Sequence, residues 1–312
     1  RRCQSQALHI PYVGLTPSLW SANGRSSILP DRGSTLTVLI ETLPIIFLAI
    51  GKMCIALPAN MERTILVTGG AKRIGRAICL RLAGDGNAIA VQYNNSRDEA
   101  QSVVSEIESI GGKAVSLRCD LLDFDSVSHL VHEASERIGL ITGLVNNASM
   151  FVHDDITNLD EDSWGSHMDV NARAPLILIG SMYKTLQDGM TASVVNILDQ
   201  KLASPNPDHI SYTASKFALA GITEALSRGL APLMRVNAVS PGHTLPSKDQ
   251  TITGFERAQS ETPLGFGPDP GQIADAVSFL MCASSITGQV IYVDSGERFL
   301  NRTRDVLFET EE

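Results

Sequence analysis

The chain has 312 residues, 43% of them hydrophobic and 19% charged, which is typical of a globular rather than a disordered protein. Its formal net charge of −9, with no basic stripe, argues against a nucleic-acid partner. The five cysteines form no Cys-x-x-Cys pair and no metal spacing with the seven histidines, so we predict no metal site and a reducing compartment.

Residues 1–60 differ in composition from the rest of the chain. They contain only two acidic residues, and an apolar run over 36–57 is long enough for a bilayer, although two charges and a proline interrupt it. Three interpretations stay open: an extension that takes no part in the fold, with Met61 as the natural start, an organellar transit peptide, or a membrane anchor. For the domain that we place at 61–312, we predict a cytoplasmic location without membrane contact, unless the extension directs or anchors the chain elsewhere.

From residue 64 onward, apolar runs of strand type alternate with runs of helical period. Predicted strands cover 64–68, 88–93, 113–119, 143–149, 192–198, 236–239 and 289–293. A long helix is predicted over 160–187, and the polar stretch 243–263 is predicted to be a loop. Strands alternating with helices form right-handed βαβ units, so the sequence predicts one α/β domain of Rossmann type, a doubly wound, seven-stranded parallel sheet with helices on both faces.

A glycine-rich loop, Gly69-Gly-Ala-Lys-Arg-Ile-Gly75, joins the first predicted strand to a helix. Backbone N–H groups at such a junction bind phosphate, although a tight turn without a ligand is the alternative. The second strand ends at Gln92-Tyr-Asn-Asn-Ser96, without the acidic residue that would hold the ribose hydroxyls of NAD. Lys72 and Arg73 could pair with a 2′-phosphate, so we expect NADPH as cofactor. The alternative is that both are solvated loop cations.

Polar or turn-forming residues recur where the predicted strands end. They are Gly69, Asp120, Asn147, Asp199 and Pro241. Ligands of a parallel sheet bind outside the carboxyl ends of its strands, so these residues are expected to meet at one site.

Tyr212 and Lys216 are four residues apart in a predicted helix and therefore share one of its faces. An ammonium beside a phenol favours the phenolate, so we expect Tyr212 to give its proton to a substrate near neutral pH. Asp199, at the end of the predicted strand 192–198, is expected at the same place. As a carboxylate it would raise the pKa of Tyr212, so the three groups should titrate as a coupled unit.

Residues 61–300 resemble the short-chain dehydrogenase/reductase family. The motifs that carry this resemblance are Thr68-Gly-Gly-Ala-Lys-Arg-Ile-Gly75, Asn146-Asn-Ala-Ser149, Tyr212-x-x-x-Lys216, Pro241-Gly242 and Val293-Asp-Ser-Gly296. The resemblance implies a catalytic tetrad in which Asn171, Tyr212 and Lys216 match the family and Asp199 replaces the usual serine. Tyr212 would then be the proton donor, Lys216 would hold the nicotinamide ribose, and Asn171 would help to carry a water relay.

The family pattern also predicts the cofactor site. Its residues are Gly69, Lys72, Arg73, Ile74, Gly75, Asn95, Ser96, Asp120, Leu121, Asn147, Ala148, Pro241 and Gly242. Hydride would pass from the nicotinamide to the substrate, and the cofactor would supply that chemistry.

Three departures from the family pattern, at Arg73, Ser149 and Asp199, resemble the pteridine reductase branch, which also carries a phenylalanine at the position of Phe151. This resemblance implies that Phe151 stacks a pterin ring against the nicotinamide and that Arg73 and Ser149 contact the polar edge of that ring. A carboxyl suits the amidine-like N–H groups of a pterin better than a hydroxyl does. The alternatives are a core aromatic for Phe151 and a weakened catalytic residue for Asp199.

The sequence therefore predicts an NADPH-dependent reductase for the C=N bond of a dihydropterin or related pteridine. A carbonyl reductase for ketones or 3-oxoacyl groups is the alternative, and a non-catalytic NADP-binding sensor is the third possibility. We expect a small-molecule substrate, no nucleic-acid partner and, from the family habit, a homo-oligomeric dimer or tetramer.

Overall fold

The computed structural model describes residues 63–247 and 250–310. The three interpretations of the extension 1–60 lie outside the described residues. Within the two described ranges, no helix is long and apolar enough to cross a bilayer. The same ranges hold no cluster of three or more His, Cys, Asp or Glu side chains that is arranged to bind a metal ion.

The sheet has seven strands, all parallel, in the order β3-β2-β1-β4-β5-β6-β7. The strands are β1 Thr64–Val67, β2 Ala88–Tyr93, β3 Ala114–Arg118, β4 Ile141–Asn146, β5 Ala192–Ile197, β6 Met234–Pro241 and β7 Val290–Val293. The chain order reverses between β1 and β4, which makes the carboxyl ends of these two strands the switch point where such sheets bind ligands. The predicted doubly wound parallel sheet is thus confirmed.

Nine described helices surround the sheet. They are α1 Arg73–Gly84, α2 Arg97–Ser109, α3 Phe124–Ile138, α4 Glu161–Met168, α5 Ala174–Thr185, α6 Ile210–Gly229, α7 Ile252–Ser260, α8 Pro270–Cys282 and α9 Val306–Thr310. Contacts between α1 and α8 dominate one helical layer, and contacts between α3 and α5 the other. Helices therefore cover both faces, as predicted.

Alternating side chains of each strand enter two separate cores. In β1, Ile65 and Val67 join the core under α1, α2 and α8, whereas Leu66 joins the core under α3 and α5. All three side chains are fully buried. A strand that is buried on both faces has apolar residues at successive positions, and this continuous apolar run allowed the strands to be predicted from the sequence.

Two sequence predictions need correction. The stretch 243–263 was predicted to be a loop, but it contains α7, which begins where the side chain of Thr251 accepts a hydrogen bond from the Gly254 amide at 3.0 Å. The predicted helix 160–187 is divided into α4 and α5 by a π-helical turn over Asp169–Arg173. Such turns frequently occur at functional sites, and this one carries Asn171.

Candidate active site

The glycine-rich loop packs tightly against the end of β1. Gly69 has a φ of +61°, which favours glycine, and its amide donates to the Oε1 atom of Gln92 at 2.8 Å. A Cβ atom added to Gly75 would lie 2.1 Å from the carbonyl oxygen of Gly69, so only glycine fits there. No side chain caps the N-terminus of α1, whose amide groups therefore remain suited to binding an anion.

The loop after β4 is fastened to the glycine-rich loop through Thr68. Its hydroxyl accepts hydrogen bonds from the amides of Asn147 and Ala148, at 3.0 and 3.1 Å. The side-chain amide of Asn147 also donates to the Thr68 carbonyl at 2.9 Å. These bonds hold the two loops at the switch point together.

A cavity of about 690 Å³ opens at the carboxyl ends of β1, β4, β5 and β6. Most of the predicted site residues line it, namely Gly69, Lys72, Arg73, Ile74, Gly75, Asn147, Ala148, Ser149, Phe151, Asp199, Tyr212, Lys216, Pro241 and Gly242. A volume of this size is typical of a small-molecule or cofactor site.

A smaller recess of about 200 Å³ adjoins the cavity and is lined by Asp120 and Leu121, together with Gly69 and Ala148. Asn95 and Ser96 line neither of the two. Asn95 is exposed after β2, and Ser96 precedes α2 without a side-chain capping bond. The structure thus brings Asp120 and Leu121 to the site but leaves this pair of predicted cofactor residues outside both cavities.

Asp199 and Tyr212 are joined by a short hydrogen bond. The phenolic hydroxyl donates to Oδ2 of Asp199 at 2.5 Å, and the backbone amide of Lys201 donates to Oδ1 at 2.8 Å. Lys216 Nζ lies 5.6 Å from the centre of the Tyr212 ring and donates to the carbonyl of Ile197 at 2.9 Å. Both Tyr212 and Lys216 are buried. The three side chains predicted to act together are therefore in one cluster.

The pKa of Tyr212 is raised well above its ordinary value, first by burial and then by the Asp199 carboxylate. Burial lowers the pKa of Lys216 to about 8, against an opposing effect of Asp199. The predicted raising effect of Asp199 on the pKa of the tyrosine is present, and the pKa is not lowered as the ammonium of Lys216 would favour. Burial and the hydrogen-bonded carboxylate raise the pKa, so the phenol keeps its proton at neutral pH.

Asn171, in the π-helical turn, is buried behind the cavity wall. Its Oδ1 accepts from the Met150 amide at 2.7 Å and from the Ser149 hydroxyl at 3.2 Å, and its Nδ2 donates to the Met150 carbonyl and to Ser215. The side-chain amide thus fixes the loop that carries Ser149. Its role in a water relay stays a prediction.

Phe151 is not a core residue. Its ring is 45% exposed, perpendicular to the Tyr212 ring with 4.7 Å between the ring centres, and stacked on His209 at 4.2 Å. One face of the phenyl ring is covered by the imidazole. The part of the Phe151 side chain that His209 does not cover lines the cavity.

The two loop cations have different neighbours. Lys72 forms an exposed ion pair with Glu99 at 2.6 Å. Arg73 has a φ of +53°, and its guanidinium donates to the carbonyls of Pro246 and Leu245 at 3.0 and 3.4 Å. The guanidinium of Arg73 therefore faces the segment after β6.

Several cavity residues were missed by the sequence reasoning, among them His243 and Glu297. His243 lines the cavity and shares a 2.7 Å hydrogen bond between its Nε2 and Oε1 of Gln250. Glu297, only 2% exposed, lines the cavity and accepts a hydrogen bond from the His243 amide at 2.7 Å. Neither lies in a catalytic motif, so the sequence carried no signal for them beyond their position after Pro241-Gly242 and Val293-Asp-Ser-Gly296.

Glu297 should make stability depend on pH. Burial, aided by Asp199, raises the pKa of its carboxyl from 4.5 to about 7. Between pH 4.5 and about 7 the Glu297 carboxyl is ionised in the unfolded chain but protonated in the folded one. Its contribution to the free energy of unfolding is therefore complete below about pH 4.5 and is lost as the pH rises through about 7. Glu297→Gln keeps an acceptor for His243 and removes the titration. We expect the free energy of unfolding of this variant, relative to the wild type, to increase by about 3 kcal/mol from acidic to slightly alkaline pH.

Urea unfolding of both proteins at acidic and slightly alkaline pH measures this difference. Glu133→Gln, in an exposed position on α3, is the matched control and should give no pH-dependent difference. A constant difference between wild type and Glu297→Gln at all pH values would contradict the raised pKa.

A family model described as short chain dehydrogenase matches residues 63–255. The chain belongs to the short-chain dehydrogenase family. The predicted family assignment is thus confirmed, and a family of oxidoreductases accounts for the sheet, the glycine-rich loop and the Tyr212–Lys216 pair.

Several short-chain dehydrogenases are similar to this chain over most of their length. FolM alternative dihydrofolate reductase 1 from Brucella suis, solved in complex with NADP, is 42% identical with a TM-score of 0.75, covering 78% of this chain and 98% of that one. A short chain dehydrogenase from Burkholderia cenocepacia J2315, also in complex with NADP, is 32% identical with a TM-score of 0.69, covering 76% and 97%. The 3-oxoacyl-acyl-carrier-protein reductase FabG of Staphylococcus epidermidis is 31% identical over 242 residues, which is 76% of this chain and 99% of FabG.

Proposed function

We propose that this short-chain dehydrogenase is an NADPH-dependent reductase that adds hydride to the C=N bond of a dihydropterin or a related folate. The observation that carries the proposal is the 2.5 Å hydrogen bond from Tyr212 to Asp199, at the position where the family usually has serine. A carboxylate beside the proton donor accepts N–H groups, which a pterin offers and a simple ketone does not.

Two further observations support a pterin. The half-exposed ring of Phe151 stands perpendicular to Tyr212 at the cavity wall, where a flat heterocycle would stack on it. The chain is also 42% identical, over 78% of its length, to an enzyme named FolM alternative dihydrofolate reductase 1, which was solved with NADP.

The described residues fit a dinucleotide. Gly69 and Gly75 form a turn that a Cβ atom would obstruct, next to the uncapped N-terminus of α1. In our proposal this turn holds the pyrophosphate, Asp120 and Leu121 hold the cofactor from the adjoining recess, and Pro241-Gly242 and Lys216 hold its nicotinamide half. When bound, NADPH supplies the hydride.

The chain itself supplies the proton and the orientation. Tyr212, neutral because burial and Asp199 raise its pKa, gives its hydroxyl proton to the substrate nitrogen as the neighbouring carbon accepts hydride. Asp199 accepts a hydrogen bond from an N–H group of the substrate ring. Lys216, whose pKa is lowered to about 8, stabilises the phenolate that forms and helps it to regain a proton near neutral pH.

A carbonyl reductase is the second candidate. It is favoured by the 31% identity to the 3-oxoacyl reductase FabG over nearly the whole of that protein. The Tyr212 and Lys216 pair serves a ketone equally well, whereas Asp199 and Phe151 have no evident task there. A sensor without activity, the third possibility, has no need of a buried proton donor beside a lysine.

NADPH oxidation with dihydrobiopterin and dihydromonapterin, measured beside a panel of ketones and 3-oxoacyl thioesters, tests the proposal. Turnover that is much higher with the pterins supports it. Turnover only with carbonyl compounds would select the second candidate, and tight NADPH binding without turnover would select the sensor.

Arg73 should contribute to the choice of cofactor. Glycine accepts the φ of +53° at this position, so Arg73→Gly removes the guanidinium without backbone strain. We expect it to weaken NADPH binding about tenfold and NADH binding much less, because an arginine bound to phosphate gives a charge-assisted hydrogen bond. Fluorescence titration with both cofactors measures this, with Arg76→Gln as control for an exposed cation on the same helix. An equal effect on the binding of NADPH and NADH would show that Arg73 does not bind the 2′-phosphate.

A further inference from the structure

The last described part of the chain, residues 300–308, forms a wall of the cavity. It contributes Leu300, Arg302, Asp305, Val306 and Leu307 to the lining. This segment lies beyond residues 63–255, which the family model matches. What it does in this protein must therefore follow from its own contacts.

Ion pairs fasten the segment to the chain that connects β5 with α6. The Arg304 guanidinium forms a bidentate pair with Asp208, with Nε–Oδ2 and Nη2–Oδ1 distances of 2.9 Å. The Asp305 amide donates to the same carboxylate at 2.6 Å, and its side chain pairs with Lys201 Nζ at 3.2 Å. The side chains of Lys201 and Asp208 are 6% and 3% exposed, so removing the partner of either one would leave a buried charge uncompensated.

The same connection holds Asp199. The Lys201 amide donates to Oδ1 of Asp199, whose Oδ2 accepts the Tyr212 hydroxyl. Lys201 thus contacts the proposed substrate-binding carboxylate through its backbone and Asp305 through its side chain. A change at Asp305 reaches Asp199 through one residue.

Aromatic rings form a second link. Phe308 is stacked parallel to His209 with 6.4 Å between ring centres, and it meets the ring of His153 edge-on at 5.1 Å. His209 is buried and stacked on Phe151 at 4.2 Å. The imidazole is therefore a common neighbour of Phe308 and of the ring that faces the cavity.

We propose that segment 300–308 is a specificity-determining wall of the substrate cavity. Asp305 positions Asp199 through Lys201, and Phe308 positions Phe151 through His209. Segment 300–308 thereby positions both Asp199 and Phe151, the two side chains that would distinguish a flat ring with N–H donors from a ketone. This inference rests on the proposed function for the identity of the favoured substrate.

The test uses the full chain with the variants Phe308→Leu and Asp305→Asn. Each should raise the KM for dihydropterin about tenfold, which corresponds to the loss of about 1.4 kcal/mol, with little change in kcat. The kcat/KM for a ketone should change much less, and the dissociation constant for NADPH, measured by fluorescence, should stay the same. Arg228→Gln, which breaks an exposed ion pair on α6, is the control and should leave all these constants unchanged.

If the ratio of kcat/KM for the pterin to kcat/KM for the ketone were unchanged in both variants, the proposal that segment 300–308 determines specificity would be refuted. Should Phe308→Leu fail to fold, Asp305→Asn provides the same test. A buried pair also predicts that the double variant Lys201→Met/Asp305→Leu loses less pterin activity than Asp305→Leu alone, because the single change leaves a buried ammonium without its partner. Equal or additive losses would count against the link to Asp199.

Failure of the proposed function would look different. A wild-type enzyme that reduces ketones but no pterin refutes the pterin assignment. The wall is then judged on the KM for the ketone, which both variants should raise while the NADPH dissociation constant stays constant. An unchanged ketone KM would refute the wall as well.

Discussion

Replacing Tyr212 by phenylalanine is expected to lower kcat/KM by about 10³-fold, in the range found when a general acid is removed. The hydroxyl is buried at the cavity wall and its pKa is raised, so it stays protonated, and in the proposed mechanism it is the proton source. The phenyl ring keeps the shape of the side chain and its perpendicular contact with Phe151. Binding of NADPH should therefore be unaffected.

The measurement combines steady-state NADPH oxidation with a fluorescence titration of NADPH. Tyr183→Phe is the matched control because Tyr183 is exposed on α5, and this variant should retain full activity. Thermal unfolding shows whether loss of the hydrogen bond to Asp199 has changed stability instead. Undiminished turnover by a folded Tyr212→Phe variant would refute the proton-donor role, and with it the proposed mechanism.

The sequence predicted the structure correctly at positions where the local backbone or packing allows only one type of residue. Gly75 is such a case, since the helix start and the turn leave no space for a Cβ atom. The buried strands are another, because strands covered on both faces must be apolar throughout. Asp199 followed a clear strand, so its place at the sheet edge next to Tyr212 could be predicted from spacing alone.

Features that depend on several distant contacts could not be predicted. The raising effect of Asp199 on the pKa of Tyr212 was predicted, but the first cause of the shift is burial, which is not visible in a Tyr-x-x-x-Lys pattern. Glu297 reads as a surface residue until its amide partner His243 is known. The helix α7 was missed because its polar residues concealed a short helix whose start depends on one threonine.

The C-terminal wall was missed for a related reason. Its bidentate pair joins Arg304 to Asp208, which is 96 residues away in the chain. Charge patterns indicate such a pair only when the fold is known, because each residue alone is typical of a solvated surface. Specificity in this protein is therefore expected to depend on contacts between segments rather than on a motif.

Asp199→Ser is expected to change the substrate rather than abolish the enzyme. In the proposed function the carboxylate would accept a charge-assisted hydrogen bond from a ring N–H, so its loss should lower kcat/KM for a dihydropterin about 10- to 100-fold. Serine can still cap the short helical turn over Gln200–Ala203, as the aspartate does through the Lys201 amide. The local fold should consequently survive, and a hydroxyl beside Tyr212 is what the family usually has, so activity toward ketones should be kept or should rise.

Asp199→Asn separates charge from shape, because it keeps the size of the side chain and one acceptor oxygen. We expect it to lose pterin activity nearly as far as the serine variant, but without the gain toward ketones. Both variants remove a carboxylate that raises the pKa of Tyr212, so the alkaline limb of the pH–rate profile should shift to lower pH in both. If pterin and ketone activities fell equally in Asp199→Ser, the carboxylate would have no special part in recognising the substrate, and the carbonyl reductase would become the better description of this enzyme.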